Sequence, residues 1–411
     1  MRFTGLKTLL AATAIMAAPA YSGATKNFLK VSGTDIVDSN GEKFSIKGTN
    51  TGNWLNPEGY MFGFSRTTSP HMIDEAFRQL VGPTAAREFW QAFKDNYITG
   101  ADFGFIAASG ANTVRIPFHY KLFTNEDYMG LNDPDEGFRR IDDCVRWARE
   151  NNLRLILDMH DCPGGQTGDN IDDSYGYPWL MTDSTAQQQF TDIWQRIAAR
   201  YADEDVILGY ELANEPVATY WEGEERRMLN AQLEPLYKRA VAAIRENDKN
   251  HIILLGGPQW NSHFGNFTDW TFDPNIMYTC HRYGGEPTAE AISEFIGFRD
   301  KTGLPMYMGE IGHNTNEWMS TFVDVMRANN IGYTFWPYKK INDSSMTGVA
   351  APDGWQQVVD FVEAPRGSYK EIRDARSHCS PERGKELLMQ YVENSKASNM
   401  LIHNDYIKAI M

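Results

Sequence analysis

Two stretches of the chain end in a glutamate at the point where a strand-like sequence stops. Residues 209–216 read Gly-Tyr-Glu-Leu-Ala-Asn-Glu-Pro, so Glu215 follows an apolar run and precedes a proline that ends a strand. Residues 306–310 read Met-Tyr-Met-Gly-Glu and put Glu310 at the end of a later strand. A carboxyl group at the end of a buried strand is held by rigid backbone yet open to a ligand, as acid–base chemistry requires. A polar turn closed by proline would explain Glu215 alone, whereas two such glutamates predict a pair that meets across a substrate.

The rest of the chain alternates between short apolar runs and stretches with helical spacing. Runs that are apolar at consecutive positions predict strands covered on both faces, as in a parallel sheet wrapped by helices. Eight such strands favour a closed barrel over an open doubly wound sheet, and no Gly-x-Gly-x-x-Gly follows the first of them. We therefore predict a single α/β domain, a (β/α)8 TIM barrel with an N-terminal β-hairpin around residues 38–41 and long βα loops. The predicted strands are residues 44–50, 113–117, 153–159, 207–212, 252–255, 276–280, 304–308 and 332–336.

Composition and the N-terminus indicate an exported protein with a neutral substrate. The formal charge is -15, which argues against nucleic acid or an anionic membrane as partner. Residues 1–24 contain Arg2 and Lys7, then an apolar run too short to span a bilayer, then small residues, as in a secretion signal. We predict cleavage after Ala20 or Ala24, a catalytic domain over 25–411, a secreted or periplasmic location and no membrane contact after cleavage. A buried first helix is the alternative for residues 1–24.

The four cysteines do not form a recognisable motif. Cys144, Cys162, Cys280 and Cys379 are far apart, without a Cys-x-x-Cys pair, which argues against a zinc ribbon or a redox site. Export permits disulfides in three connectivities, and free buried thiols are equally compatible with the sequence.

Polar or aromatic residues end seven consecutive predicted strands. Active sites of TIM barrels lie at the C-terminal ends of the strands, so these residues are candidates for one site. Each also has a structural explanation when it is taken singly, such as an interior ion pair between Arg115 and Glu211 or a core position for Trp336. In strand order the candidates are Arg115; Asp158, His160 and Asp161; Asn214 and Glu215; Gln259 and Trp260; His281 and Tyr283; Glu310; and Trp336.

Taken together, these residues resemble a known family. The run Thr-Val-Arg-Ile-Pro at 113–117, with His160, Asn214-Glu215-Pro216, His281-x-Tyr283, Gly309-Glu310 and Trp336, resembles glycoside hydrolase family 5, which contains cellulases and β-glucanases. Residues 52–55 (Gly-Asn-Trp-Leu) with Glu58 are similar to its exo-β-1,3-glucanase branch. The resemblance implies a retaining β-glycosidase for β-linked polysaccharides or oligosaccharides, with Glu215 as acid/base, Glu310 as nucleophile and neither metal nor cofactor.

The remaining candidates would bind the substrate or support the two glutamates. We expect Arg115 and Tyr283 to donate to Glu310 and favour its ionised form, while burial and the nearby charge of Glu310 keep Glu215 protonated. Asn214 can contact the sugar 2-hydroxyl, and His160 and His281 can bind hydroxyls or orient the acid/base. Trp336 offers a flat apolar face to the sugar ring, which Trp54 and Trp260 would extend. Core packing is the alternative for Trp54 and Trp260.

Two other functions fit parts of the same pattern. A metal-dependent TIM-barrel hydrolase could use Asp158, His160 and His281, although no His-x-His or His-Glu-x-x-His is present and both glutamates would lack a role. A non-catalytic carbohydrate-binding barrel would be expected to have lost one of the two carboxyl groups. Residues 161–166 depart from the loop expected in exo-glucanases, which leaves linkage preference open.

Overall fold

Three short antiparallel strands open the described chain, which comprises residues 26–341 and 344–411 of a computed structural model. These strands are β1 (Lys30–Ser32), β2 (Asp35–Val37) and β3 (Lys43–Phe44). The predicted hairpin turn joins β2 to β3 and contains Gly41 at a φ of 84°, where glycine is favoured. A second turn at Gly33, not evident from the sequence pattern, separates β1 from β2. The predicted secretion signal lies outside the described residues.

Eight parallel strands then close the predicted barrel. Each strand pairs with the next in chain order, and the eighth returns to the first, with Tyr333 beside Lys47. The first barrel strand begins three residues later than predicted, because Phe44 pairs with Ile36 in the hairpin instead. In order, the strands are β4 (Lys47–Asn50), β5 (Thr113–His119), β6 (Arg154–Asp161), β7 (Ile207–Glu211), β8 (Ile252–Gly256), β9 (Ile276–His281), β10 (Met306–Glu310) and β11 (Gly332–Phe335).

Helices surround the barrel and begin where the sequence signals them. Pro70 and Pro83 occupy first helical positions, and Thr99 and Asp102 form the capping box expected from their spacing. The helices are α1 (Pro70–Val81), α2 (Pro83–Asn96), α3 (Gly100–Ala108), α4 (Glu136–Glu150), α5 (Ser184–Tyr201), α6 (Gly223–Asn247), α7 (Ser293–Thr302), α8 (Asn316–Ala328), α9 (Gln356–Glu363), α10 (Tyr369–Ala375), α11 (Pro381–Ser395) and α12 (Asn404–Ile410).

The N-terminal hairpin closes one end of the barrel. Leu29 and Ile36 pack in one apolar cluster with inward-facing barrel residues such as Ile156, Leu254 and Tyr307. This seals the amino ends of the strands. The opposite rim, where the strands end, is therefore the one open to a ligand.

A small C-terminal sheet lies beyond the barrel. Its strands are β12 (Lys339–Ile341), β13 (Thr347–Val349) and β14 (Leu401–Ile402). The sequence pattern predicts no strands there, because strands of two or three residues leave no periodicity. Among the described residues, no helix has both the length and the apolar character needed to cross a membrane. All four cysteines are free and buried.

Candidate active site

A cavity of about 250 Å³ opens at the C-terminal rim of the barrel. Five of the ten residues to which the sequence analysis assigns a role in the site line it, and four further residues come from the segments that connect the barrel strands. The lining residues are Glu58, Tyr60, His160, Ile171, Glu215, Tyr283, Glu310, His313 and Trp336.

The two glutamates singled out from the sequence meet in this cavity. One carboxylate oxygen of Glu215, one of Glu310 and a ring nitrogen of His281 all lie within 4.8 Å of one another. The glutamates come from loops and strand ends three strands apart around the barrel, which directs both side chains over the same opening. Two carboxyl groups this close can face the same anomeric carbon, one as nucleophile and one as acid.

Glu310 receives two strong hydrogen bonds, one on each oxygen. Arg115 Nη1 donates to Oε1 at 2.7 Å, and the Tyr283 hydroxyl donates to Oε2 at 2.7 Å. Both donors match the sequence-based expectation. The residue before it, Gly309, has no room for a side chain, because a Cβ there would lie 2.4 Å from Thr279 Oγ1 and 2.9 Å from His281 Nε2.

Arg115 is fully buried beneath the cavity and does not line it. Its guanidinium also donates to Glu211, Asn50 and Asn214 and lies 3.0 Å from Asp158, so its donors are occupied by the protein. Of the two roles predicted for the remaining candidates, binding the substrate or supporting the glutamates, Arg115 has the second: it acts through Glu310 and does not line the cavity. The interior ion pair with Glu211, which the sequence left as an alternative, exists alongside this role.

Glu215 sits on strained backbone beside a histidine. Its φ is 46°, a conformation that costs a non-glycine residue about 1–3 kcal/mol. His281 Nδ1 is 2.8 Å from Glu215 Oε1, and Asn261 Nδ2 donates to His281 Nε2 at 3.1 Å. Burial lowers the pKa of His281 to about 4, so the ring is neutral and its Nδ1–H donates to Glu215. This leaves the other oxygen of Glu215 to carry a proton.

The pKa of Glu215 is raised to about 8. Burial is the largest cause; the charges of Asp158 and Glu211 add to it, and Arg115 opposes it. The sequence had suggested Glu310 as the charged neighbour, whereas these two carboxylates of the barrel interior are the ones that raise the pKa of Glu215. The acid is therefore protonated near neutral pH, as expected.

His160 forms one wall of the cavity. Its Nδ1 donates to Asp158 Oδ2 at 2.7 Å, Asn214 Nδ2 donates to its Nε2 at 3.2 Å, and its ring stacks on Trp336 at 5.1 Å. Burial lowers the pKa of His160 to about 3, which keeps the ring neutral and fits this hydrogen-bond pattern. Asn214 is fully buried and does not line the cavity. Its contact with a sugar 2-hydroxyl remains a prediction.

Residues 161–166, which depart from the expected exo-glucanase sequence, hold the loop that carries Glu215 in place through hydrogen bonds. Gln166 Nε2 donates to the carbonyls of His160 and Asn214 at 2.7 and 2.8 Å, while its Oε1 accepts from the Cys162 amide. The Val217 amide in turn donates to the Gln166 carbonyl at 2.8 Å. One buried amide side chain thus fixes the turn that carries Glu215.

Tyr60 and His313, which the sequence analysis missed, and Glu58, which it named only as part of a family motif, close the side of the cavity nearest β4, β10 and β11. Trp336 Nε1 donates to the Tyr60 hydroxyl at 2.7 Å, and this hydroxyl is 3.3 Å from His313 Nε2. Glu58 faces the same cavity, and its pKa is raised to about 8 by burial and by the charges of Glu310 and Glu215. The signal for Glu58 was its place after Gly-Asn-Trp-Leu, whereas Tyr60 and His313 lie in irregular loops.

The two outer tryptophans have different positions. The prediction for Trp54 is wrong, because it is fully buried, donates to the Lys94 carbonyl at 2.8 Å and packs near Trp147 in the core. The chain turns at Asn53, whose φ is 68°, and this directs the next side chain away from the opening. Trp260 lies outside the cavity wall but at the same rim, in the left-handed turn Pro258–Asn261 that follows β8.

A metal site is the alternative use of the central residues. Glu215, His281 and Glu310 could each offer one donor atom to a cation. However, both oxygens of Glu310 already accept hydrogen bonds from Arg115 and Tyr283. In the described part of the chain, the donor atoms that converge are those of Glu215, His281 and Glu310, and the Asp158 and His160 suggested from the sequence are not among them.

The closed barrel and its facing carboxyl groups define a TIM-barrel enzyme with a paired-carboxylate site. The model of the cellulase family, glycosyl hydrolase family 5, matches residues 37–342. The chain belongs to this family, as its motifs indicated, and is a glycoside hydrolase.

Individual relatives share this architecture at modest identity. The chain is 27% identical over 364 residues to a β-xylosidase of Phanerodontia chrysosporium, covering 79% of this chain and 73% of that protein. It is 28% identical over 312 residues to endoglucanase C of Acetivibrio thermocellus, covering 60% and 86%. A β-glucanase structure from Saccharophagus degradans aligns over 92% of this chain and 98% of its own, with a TM-score of 0.51 and 17% identity, which shows a common fold.

Proposed function

We propose that this protein is a retaining β-glycosidase that cleaves β-glucans or oligoglucosides by double displacement. The observation that carries the proposal is the placement of Glu215 and Glu310 oxygens within 4.8 Å of each other over one cavity. Retaining glycosidases place their two carboxyl groups about 5–5.5 Å apart, whereas inverting ones keep them about 6.5–9.5 Å apart to admit water. The geometry therefore favours direct attack by one carboxylate.

The surroundings of the two glutamates assign their roles. Glu310 accepts from a buried guanidinium and a tyrosine hydroxyl, which stabilise the ionised form that a nucleophile needs. Glu215 has a pKa of about 8 and carries the proton that a leaving group needs. The two carboxyl groups thus have different surroundings, as an acid and a nucleophile require.

The first half-reaction forms a covalent intermediate. A carboxylate oxygen of Glu310 attacks the anomeric carbon while Glu215 protonates the glycosidic oxygen, so the aglycone leaves as an alcohol. In the second half, Glu215 takes a proton from water, the water oxygen attacks the same carbon, and the ester bond to Glu310 breaks. Glu215 is ionised at this stage because it has already given its proton to the leaving group, so it can act as the base. Two inversions give net retention.

The substrate class is inferred from the cavity and from the relatives. The closed wall of Tyr60, His313 and Trp336 and a volume of about 250 Å³ suit a single terminal sugar, with Trp336 as its stacking face. Relatives named endoglucanase and glucan 1,3-β-glucosidase support a β-glucoside, while the β-xylosidase leaves a pentose open. The N-terminal pattern supports export to the cell exterior or periplasm.

Product stereochemistry and a substrate panel test this proposal. Proton NMR of the first product formed should show the β-anomer, with activity on at least one of the β-1,3, β-1,4 or β-1,6 glucosides or aryl β-glucosides. An α-anomer formed first would exclude the retaining mechanism. Activity that disappears with a chelator and returns with a divalent cation would instead support the metal alternative.

A further inference from the structure

Five aromatic rings form a continuous band along one side of the rim. Consecutive ring centroids are 4.7, 5.1, 5.3 and 6.2 Å apart in the order Trp179, Tyr177, Trp221, Tyr220, Trp260. The rings come from the loops after β6, β7 and β8, three neighbouring strands of the barrel. We refer to these five residues as the aromatic band.

The band presents carbon surface to solvent, and several of its polar atoms are engaged by the protein or buried. The Tyr220 hydroxyl donates to the Gly168 carbonyl at 2.7 Å, and Trp221 Nε1 donates to the Thr167 carbonyl at 2.9 Å. Trp260 Nε1 is buried. Trp179 and Tyr220 are nevertheless 45% and 47% exposed. Exposed aromatic surface of this extent on a rim of an active site indicates a ligand-binding surface.

The band adjoins the acid/base rather than the nucleophile. Tyr220 lies five residues after Glu215 in the same loop, and Trp260 precedes Asn261, which holds the histidine that contacts Glu215. The acid protonates the oxygen of the departing group, so the part of the substrate on this side is the leaving group. The opposite side of the cavity is closed by the wall of Tyr60, His313 and Trp336.

The chemistry of the band distinguishes between two kinds of leaving group. A further sugar unit carries several hydroxyls that need hydrogen-bond partners, as the polar cavity provides. The band offers aromatic faces with few free donors or acceptors, which suits carbon-rich surface. We propose that the aromatic band is the aglycone site of this enzyme and that it selects glycosides with an extended apolar aglycone. The inference rests on the proposed function, because it assigns the leaving-group side from the role of Glu215.

Methyl and octyl β-D-glucoside test the band with the same sugar and similar alcohol leaving groups. The wild-type kcat/KM should be at least about tenfold higher for the octyl glucoside, since each buried methylene adds favourable transfer free energy. Tyr220→Ala and Trp260→Ala should each reduce the ratio of kcat/KM for the octyl glucoside to kcat/KM for the methyl glucoside about fivefold or more. Tyr220→Phe keeps the ring and should keep the preference. Tyr369→Ala, which removes an 83% exposed tyrosine from α10, is the matched surface control.

Several outcomes would overturn the inference. Equal kcat/KM for the two glucosides in the wild type, or an unchanged preference in both alanine variants, would show that the rings only pack the loops together. A loss on oligoglucosides with no loss on the octyl glucoside would assign the band to sugar units. If neither glucoside is hydrolysed, the proposed sugar specificity fails. Dissociation constants for both glucosides, measured by calorimetry below the micelle concentration, then decide whether the band still favours the octyl chain.

Discussion

The cavity and the aromatic band share one rim of the barrel but consist of opposite kinds of residue. The cavity concentrates ionisable groups, with Glu310, Glu215 and Glu58 around one opening. The band consists of five aromatic rings, of which Tyr220 and Trp221 donate their polar hydrogens to backbone carbonyls of the protein. In the cavity, low dielectric strengthens each electrostatic contact, whereas the band can contribute only apolar contact. Changes in the cavity should therefore affect bond cleavage, and changes in the band should affect which leaving group is bound.

Substitution of Arg115 should have the largest effect of the changes considered, and it should affect bond cleavage without affecting the choice of leaving group. Arg115→Lys keeps a positive charge but cannot reach Glu310, Glu211 and Asp158 with one planar fork. We expect kcat/KM to fall roughly 10²- to 10³-fold on methyl and octyl glucosides alike, as when a preorganised donor is lost. Arg115→Met should also lower the free energy of unfolding by about 3–5 kcal/mol, because buried carboxylates lose their partner.

Steady-state kinetics on both glucosides and urea denaturation measure these effects. Arg140→Lys, in a largely buried ion pair with Glu136 outside the cavity, is the matched control. An Arg115→Lys variant whose kcat/KM stays within tenfold of the wild-type value would contradict this expectation. A loss of activity on only one of the two glucosides would contradict the division of roles between the cavity and the band.

The pH dependence of kcat/KM tests the role of Glu215 as the acid. Below its pKa of about 8 the carboxyl group keeps its proton, and above it the acid form is lost, so kcat/KM for alkyl glucosides should fall as the pH rises through about 8. A 2,4-dinitrophenyl glucoside, whose leaving group needs no proton, should lose less activity over that range. Glu58 also has a pKa of about 8, and Glu58→Gln distinguishes the two by leaving the alkaline limb in place. An alkaline limb near pH 5, or one that vanishes in Glu58→Gln, would be inconsistent with this assignment.

A smaller effect is expected in the loop after β6, which contributes Ile171 to the cavity and Tyr177 and Trp179 to the aromatic band. Asp173 holds this loop through His71 Nδ1 at 2.6 Å and His119 Nε2 at 3.1 Å. The hydrogen bond to Asp173 raises the pKa of His71. Burial alone would raise the pKa of Asp173, but the hydrogen bonds from His119 and His71 outweigh it and hold this pKa well below its usual range.

The sign of each shift gives the pH window. The raised pKa of His71 contributes stability below about pH 6.5 that is lost as the pH rises through its higher folded pKa. The lowered pKa of Asp173 contributes stability above about pH 3.8 that is lost as the pH falls through its folded value. Asp173→Asn should therefore cost about 1 kcal/mol near pH 5.5, since His71 is half exposed, and less at pH 8.5. Urea denaturation at both pH values measures this, with the exposed Asp143→Asn as control; an equal or larger cost at pH 8.5 would refute the coupling.

The parts of the molecule that follow regular patterns could be predicted from the sequence. The barrel followed from apolar runs separated by helical stripes, and Glu215 and Glu310 followed from their places at strand ends. His160 and Tyr283 could be found because the C-terminal strand ends of a barrel converge on one rim. The contacts among these residues follow from the closure of the barrel.

Residues in irregular loops could not be placed in the same way. Tyr60 and His313 reach the cavity through turns for which the sequence gives no period, and Trp54 faces the core because of the left-handed residue before it. The aromatic band depends on three loops that are adjacent only after the barrel closes. The small sheet of β12, β13 and β14 is too short to leave a pattern.

The reaction of two alanine variants with azide tests the central assignment most directly. With 2,4-dinitrophenyl β-glucoside as substrate, Glu310→Ala should lose roughly 10⁴- to 10⁶-fold in hydrolysis and yield α-glucosyl azide, because azide replaces the missing nucleophile from the opposite face. Glu215→Ala should instead yield β-glucosyl azide, since azide then attacks the intermediate on Glu310. Circular dichroism should show both variants folded. Near-normal hydrolysis by Glu310→Ala, or β-azide from that variant, would contradict the account.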